Sequence, residues 1–311
     1  MRQVNLTEVK AQNAQEPKNE GKKTEMKYKI VDQKYHFISA FDTETGAYVR
    51  TGVLDEQGRD TGVDPFMASY PHLIDVGIMG HCIHGKTGLC AKAGIGCYQS
   101  GMLVEQPNMT LEDFTSIAKQ SSGRCNQFAL GGRGDPDQHE HFEEILKICR
   151  ENNLVPNFTT SGYGMTPEIA ALCKQYCGAV AVSWYRSSYT LAAIQMLLDA
   201  GVKTNIHYVL GQNSIDEAIA RLEKDDFPKG INAVIFLLHK PAGQGTRGNM
   251  LAVDIPAWRN SLSSLIADIR LKRAWIAVTS PVRFAFAKIF CRNRWTPARA
   301  GVTAAISARI W

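Results

Sequence analysis

Cys82, Cys90 and Cys97 share one stretch, residues 81 to 101, HCIHGKTGLCAKAGIGCYQSG, with five glycines and two histidines among them. Thiolates are soft ligands, so three thiols on one loop suit a metal or an iron–sulfur centre. The glycines relax the backbone enough to turn three sulfurs toward one point. A plainer reading is three unrelated buried cysteines, since free cysteine is often buried; the clustering on a glycine-rich loop favours the metal. His81 and His84 flank the first cysteine. They either complete a zinc site with the thiols or serve as polar loop residues and donors to other ligands.

A second stretch, Gly131-Gly-Arg-Gly-Asp-Pro136, is rich in glycine and follows an apolar run. It lacks the Lys-Ser/Thr of a P-loop and does not fit G-x-G-x-x-G, so nucleoside triphosphate binding is a poor match. Its bare backbone and Asp135 suit the grip of a small zwitterion. Thr159, Ser161, Ser183, Arg186, Asn205 and His207 fall at or near the ends of later apolar runs and supply polar groups for the same region. A guanidinium binds a carboxylate through two hydrogen bonds, which makes Arg186 the first candidate for an acidic ligand. Cys173 and Cys177, four apart on a predicted helix, read as core, and Cys125 and Cys149 as single thiols near the core edge, with a reserve-ligand role the weaker reading. Asp137-Gln-His-Glu-His141 reads as the surface-exposed, acidic opening of a helix.

These residues need a frame. Strand-like runs at 73–79, 126–130, 155–160, 179–184, 203–209 and 232–238 alternate with helix-like segments at 110–120, 138–152, 166–177, 188–200 and 214–224. Thr110-Leu-Glu-Asp, Pro167 and the capping box Ser214-Ile-Asp-Glu217 mark helix starts. The spacing is that of βα repeats, and six of them predict an α/β fold, a partial (βα)6 TIM-like barrel of parallel strands. An open doubly wound sheet is the alternative. In either, ligands bind at the carboxyl ends of the strands, where the cysteine loop and the glycine loop both fall.

Around this domain, residues 71–245, the chain divides further. Residues 1–26 are polar and predict a mobile arm. Residues 27–70 hold two β-rich runs about a turn containing Asp42 and Gly46, a hairpin covering one end of the barrel. Residues 246–311 differ in composition. From Pro256 onward there are ten Lys or Arg and one acidic residue, while the rest of the chain carries 25 basic and 29 acidic side chains. Four of the five tryptophans also lie there. The composition predicts a segment of atypical origin after about residue 260, truncated or frame-shifted; it carries no nucleic-acid-binding motif, so nucleic acid is an unfavoured partner. Eight cysteines without an apolar leader predict a reducing compartment, the cytoplasm, and no stretch is apolar enough to span a membrane.

The three-cysteine loop after strand one, the GGxGDP segment after strand two and six βα units together resemble the radical S-adenosylmethionine (SAM) superfamily. The resemblance covers roughly residues 71–245. It implies that Cys82, Cys90 and Cys97 ligate a [4Fe-4S] cluster, leaving one iron for the amino and carboxylate groups of SAM. It also implies that Gly131, Gly132, Gly134 and Asp135 contact the methionyl end of SAM, with Ser183 and Arg186 as further contacts. An electron from a donor such as flavodoxin or ferredoxin would cleave SAM to methionine and a 5′-deoxyadenosyl radical, which takes hydrogen from a small-molecule or peptide substrate. The spacing here, C-x7-C-x6-C, is longer than the C-x3-C-x2-C usual in that family, and Asp135 stands where glutamate is commoner. The reading outside this family is a zinc-binding structural or nucleic-acid-binding protein that uses the same Cys/His loop.

Overall fold

The structure, a computed structural model, describes residues 27–43, 48–101, 105–251 and 274–277. The predicted arm lies outside these residues, as do Gly46 and most of the basic tail.

The described residues open with an antiparallel sheet of three strands, β1 (Lys27–Asp32), β2 (Phe37–Asp42) and β3 (Tyr48–Arg50), in the order β1-β2-β3. The expected hairpin is the β2–β3 pair, with Ser39 opposite Arg50; β1 adds a strand that the polar run before Tyr35 did not reveal. This sheet docks at the amino end of the next strand. The Tyr48 hydroxyl meets His72 Nδ1 at 2.7 Å, and Ser69 donates its N–H and its hydroxyl to the Asp32 carboxylate. The end of the barrel carrying the cysteine loop is left clear.

The main sheet holds β4 (Leu73–Met79), β5 (Gln127–Gly132), β6 (Val155–Thr160), β7 (Val180–Ser183), β8 (Thr204–Leu210) and β9 (Ala233–Leu238), all parallel and in sequence order. The six strands fall where the apolar runs predicted them, within one or two residues. A seventh, β10 (Ala274–Ala277), pairs parallel to β9 beyond residue 245. Helices cross between strands: α1 (Ile83–Thr87) and α2 (Leu89–Lys92) on the cysteine loop, then α3 (Leu111–Ser121), α4 (Phe142–Glu151), α5 (Pro167–Tyr176), α6 (Ser188–Asp199) and α7 (Ile215–Glu223). Thr110, Thr166 and Ser187 each accept a backbone N–H three residues on, which fixes where α3, α5 and α6 begin. Ser214 does not cap α7 as expected. Its hydroxyl donates to the Val209 carbonyl and accepts from Gly211 N–H, closing the turn after β8, while Glu217 pairs with arginines.

Alternation along the strands sorts the side chains by size. Val76, Ile78, Phe128, Leu130, Phe158, Val180, Val182, Ile206, Tyr208, Val234 and Phe236 face the helices and form the core with Phe114, Phe142, Ile145 and Leu197. The alternate positions carry Ala129, Gly131, Asn157, Thr159, Ala181, Ser183, Asn205, His207 and Ala233. One face is built of large apolar groups, and the other mostly of small and polar ones, with Ile235 on β9 an exception. Cys125, Cys149 and Cys173 belong to the helix-side core, Cys173 as expected and the other two deeper than the core edge.

Candidate functional site

The cysteine loop leaves the carboxyl end of β4 and folds back over it. Gly80 N–H is held by the Asn108 side chain and Arg133 N–H by the Met79 carbonyl, so the loops after β4 and β5 are tied together. The ties depend on bare backbone. A Cβ on Gly134 would lie 2.5 Å from the His81 carbonyl oxygen, and one on Gly132, which has φ +119°, would lie 2.3 Å from the Met79 carbonyl. Gly131 is different: a Cβ there meets nothing within 4 Å. Gly132 and Gly134 thus let two loops touch, and Gly131 leaves the inner face of the barrel open.

The three cysteines line one cavity of about 840 Å³, together with His84, Gly101, Asn213, His239, Gln244 and Asn249. Cys82 and Cys97 meet across Gly101. Its N–H donates to Cys97 Sγ at 3.5 Å, and a Cβ on it would lie 3.7 Å from Cys82 Sγ. Cys90 approaches from α2 and hydrogen-bonds the Tyr185 hydroxyl at 3.4 Å. All three are free thiols. Burial pushes the Cys82 thiol up, and it pushes Cys90 up to about 11; ionising them calls for the charge of a bound cation. Among the described residues no three His, Cys, Asp or Glu side chains form a preassembled metal site. The donor set nevertheless fits a centre with three soft ligands, because three thiols share one cavity wall on a glycine-rich loop that can tighten around it.

Asp135 is fully engaged. His84 Nε2 lies 2.8 Å from its Oδ2, the Ser161 hydroxyl donates to the same oxygen at 2.6 Å, and Ser161 N–H donates to Oδ1 at 3.0 Å. His84 is buried and stacks edge-on against Tyr163. This network fastens α1 to the ends of β5 and β6. Sequence reading named Asp135 and Ser161 but not their union with His84.

Ser183 lies beside Tyr185, whose backbone N–H it accepts at 2.9 Å, whose hydroxyl bonds Cys90 at 3.4 Å and whose ionisation burial opposes strongly. Arg186 is placed elsewhere. It adopts a left-handed φ of +60°, pairs with Glu217 at 3.2 Å, and lines a smaller cavity of about 300 Å³ with Trp184, Tyr208 and Asn213. Gly94, Ile95, Asn213, His239 and Asn249 border both cavities, so the two are neighbours across a thin wall. On the inner face, Thr159 and His207 meet at 3.2 Å, and Asn205 accepts from Asn232 at 2.7 Å. Burial pushes His207 down to about 4.

The segment Asp137–His141 is corrected by the structure. It is a 3₁₀ turn, Pro136–Gln138, with Asp137 and His139 buried, and α4 starts only at Phe142. Proline at its head and the tie between His139 and the Met109 carbonyl at 3.1 Å pull it inward. Burial, with the neighbouring Asp135 carboxylate, pushes Asp137 up to about 7.

Comparison with solved structures now bears on this geometry. SuiB of Streptococcus suis, bound to the precursor peptide SuiA, superposes with a TM-score of 0.51 at 12% identity, over 69% of this chain and 50% of SuiB. At that identity the likeness is one of fold. The chain spans about half the length of SuiB. Two further structures align less closely: anSMEcpe with bound AdoMet and a Cp18Cys peptide, at 16% identity and TM-score 0.48 over 66% of this chain and 63% of that one, and methylornithine synthase (PylB), at 14% and 0.44 over 63% of each. No family model matches the sequence, and no curated protein does. Among the described residues no helix is long and apolar enough to cross a membrane.

Proposed function

We propose that this chain is a radical SAM enzyme in which Cys82, Cys90 and Cys97 hold a [4Fe-4S] cluster and the adjoining glycine loop holds SAM. The observation that carries the reading is the convergence of three free thiols of one loop on one cavity, in a chain with this fold. When bound, the cluster and SAM would supply one-electron reductive cleavage of SAM and a carbon radical that takes hydrogen from substrate. The chain's residues orient and shield. The contact of Gly132 and Gly134 with the loop after β4 fixes the cysteines relative to β5, and the open space at Gly131 admits the methionyl end of SAM. Asp135, held by His84 and Ser161, acts as a rigid negative wall for the SAM ammonium. Ser183 supports the loop through Tyr185, and Arg186, sharing Glu217 with Arg221, turns its guanidinium to a ligand carboxylate in the smaller cavity. Two adjoining cavities suit two ligands, cofactor and substrate. The substrate is a peptide or a small molecule, and an electron donor such as flavodoxin or ferredoxin serves the cluster; SuiB, bound to a precursor peptide, gives the peptide its support.

The test is anaerobic reconstitution with iron and sulfide, followed by optical and EPR spectra of the reduced protein with and without SAM. A [4Fe-4S]⁺ signal that shifts on adding SAM is expected, and it should vanish when the three cysteines are replaced by alanine. Zinc without iron, or a cluster indifferent to SAM, would refute the reading.

A further inference from the structure

Charge is distributed unevenly about the two cavities. Among the described residues no aspartate or glutamate lines either of them. The sequence gives the reason. Residues 76–104, which carry the cysteine loop, and residues 227–253, which carry β9 and the loop beyond it, contain no acidic residue. These two segments meet at the cavity mouth. Gln244 N–H donates to the Cys97 carbonyl, and a Cβ on Gly243 would lie 2.6 Å from that same oxygen, so the loops touch backbone to backbone. Lys92 and Arg186 line the smaller cavity. Lys240 follows His239, which borders both cavities, and Arg247 lies between Thr246 and Gly248 on the wall of the larger one. Lys229, before β9, is already paired with Asp225.

Lys92, Lys240 and Arg247 are exposed, and among the described residues none of them pairs with a carboxylate. Arg186 shares the single carboxylate of Glu217 with Arg221. Before Pro256 the chain as a whole carries more acidic than basic side chains. A positive mouth on a negative body draws an anion to one place. The four cations stand on three loops, after β4, β7 and β9. A ligand that meets Arg186 in the smaller cavity and Arg247 beside the larger one is extended and carries more than one negative charge. A nucleic acid is charged at every phosphate, and the domains that bind it are strongly basic, unlike this body. A short acidic peptide engages the mouth alone. Its carboxylates suit a guanidinium fork, and the exposed amides of Gln212 and Asn213 on the cavity wall suit its main chain. We propose, resting on the function stated above, that the substrate is an acidic peptide. Its carboxylates are held by Lys240 and Arg247 at the mouth and by Lys92 and Arg186 within, which presents the intervening residue to the larger cavity.

The experiment is fluorescence anisotropy on the full chain, reconstituted anaerobically, with a fluorescein-labelled peptide alternating Glu and Ala. The same peptide with Gln in place of Glu, and a labelled single-stranded RNA, serve as comparisons. The acidic peptide should bind about tenfold more tightly than the Gln form, and added salt should weaken it. Lys240→Glu combined with Arg247→Glu should weaken it about tenfold, as several surface charge contacts are lost and reversed. Arg247→Glu alone should show part of that loss. Its side chain holds no other group among the described residues, so this variant serves even where Lys240→Glu disturbs the cysteine loop. Equal binding of the Glu and Gln peptides, unchanged affinity in the variants, or RNA bound more tightly than the acidic peptide overturns the proposal and leaves the cluster and SAM reading standing. A chain that binds the acidic peptide as described but forms no SAM-responsive cluster refutes the proposed function, while the acidic-peptide site stands.

Discussion

His207 gives a measurable link between the interior of the barrel and pH. Its imidazole is fully buried on the inner face of β8, and burial lowers it from 6.5 to about 4. Between these values the unfolded chain binds a proton at this position and the folded chain does not, so stability rises with pH across the window. The contribution is fully present above about pH 6.5 and is lost as pH falls toward 4. At about 1.4 kcal/mol per pH unit for the whole shift, and allowing for partial titration at the ends, moving from pH 7.5 to pH 5 removes about 2 kcal/mol. Asp137 runs the other way. Its carboxyl is held protonated up to about 7, so the folded state gains relative to the unfolded one as pH falls through that point toward the ordinary carboxylate range. The two oppose each other in the wild type, and only a variant separates them. Urea unfolding of wild type and His207→Gln at pH 5 and 7.5 isolates the histidine: the stability difference between the two proteins should change by about 2 kcal/mol in favour of the variant at pH 5. If the difference is the same at both values, or if the ring titrates near 6.5 by NMR, burial does not control this histidine and the reasoning fails.

Other consequences follow from the same geometry. Gly134→Ala drives a methyl into the His81 carbonyl; it should cost about 1–3 kcal/mol in urea unfolding and cut iron loading more sharply than Gly131→Ala, whose Cβ meets open space. Asp137→Asn removes a buried carboxyl that is held protonated up to about 7, so its stability relative to wild type should improve as pH rises from 5 to 7 and level off above that, and a flat difference would contradict the assignment. Phe158→Ala empties a fully buried site where the ring packs edge-on against Phe142 at 5.3 Å; a loss of about 3–5 kcal/mol is expected by denaturant titration.

Much of this was legible in the sequence because the governing signals are local. Each of the six apolar runs, five to seven residues long, became a parallel strand, and the threonine caps of α3 and α5 stood at the predicted starts. The three cysteines announced themselves by grouping. What was missed depends on distance along the chain. Asp135 is 51 residues from His84 and 26 from Ser161, and no window of sequence contains that network. Tyr185 lay beside two residues already singled out, but its contact with Cys90 is 95 residues away. Ser214 failed as a cap because a tighter turn claimed its hydroxyl first. The buried Asp137 and His139 looked like a charged surface, since polarity alone cannot distinguish a solvated helix start from an inward 3₁₀ turn. β10 was obscured by a basic, tryptophan-rich context unlike that of the other strands.

The stitch between the two ends of the barrel has a consequence for how the protein is made. Gln244 N–H donates to the Cys97 carbonyl at 2.9 Å, and the Lys240 ammonium sits 4.7 Å from the centre of the Tyr98 ring. The loop that would carry the cluster is therefore pinned by a segment nearly 150 residues downstream. At about 5–20 residues per second, ribosomal synthesis leaves that loop unfastened for roughly 7–30 s after its cysteines emerge. Under the proposed function, metal acquisition falls late, on a nearly finished barrel, once the segment around Gln244 has been made. Ribosome-stalled chains that end before residue 240 should retain iron poorly, and chains stalled well past 250 should retain it; equal retention at both lengths would show that the loop assembles without its distant partner.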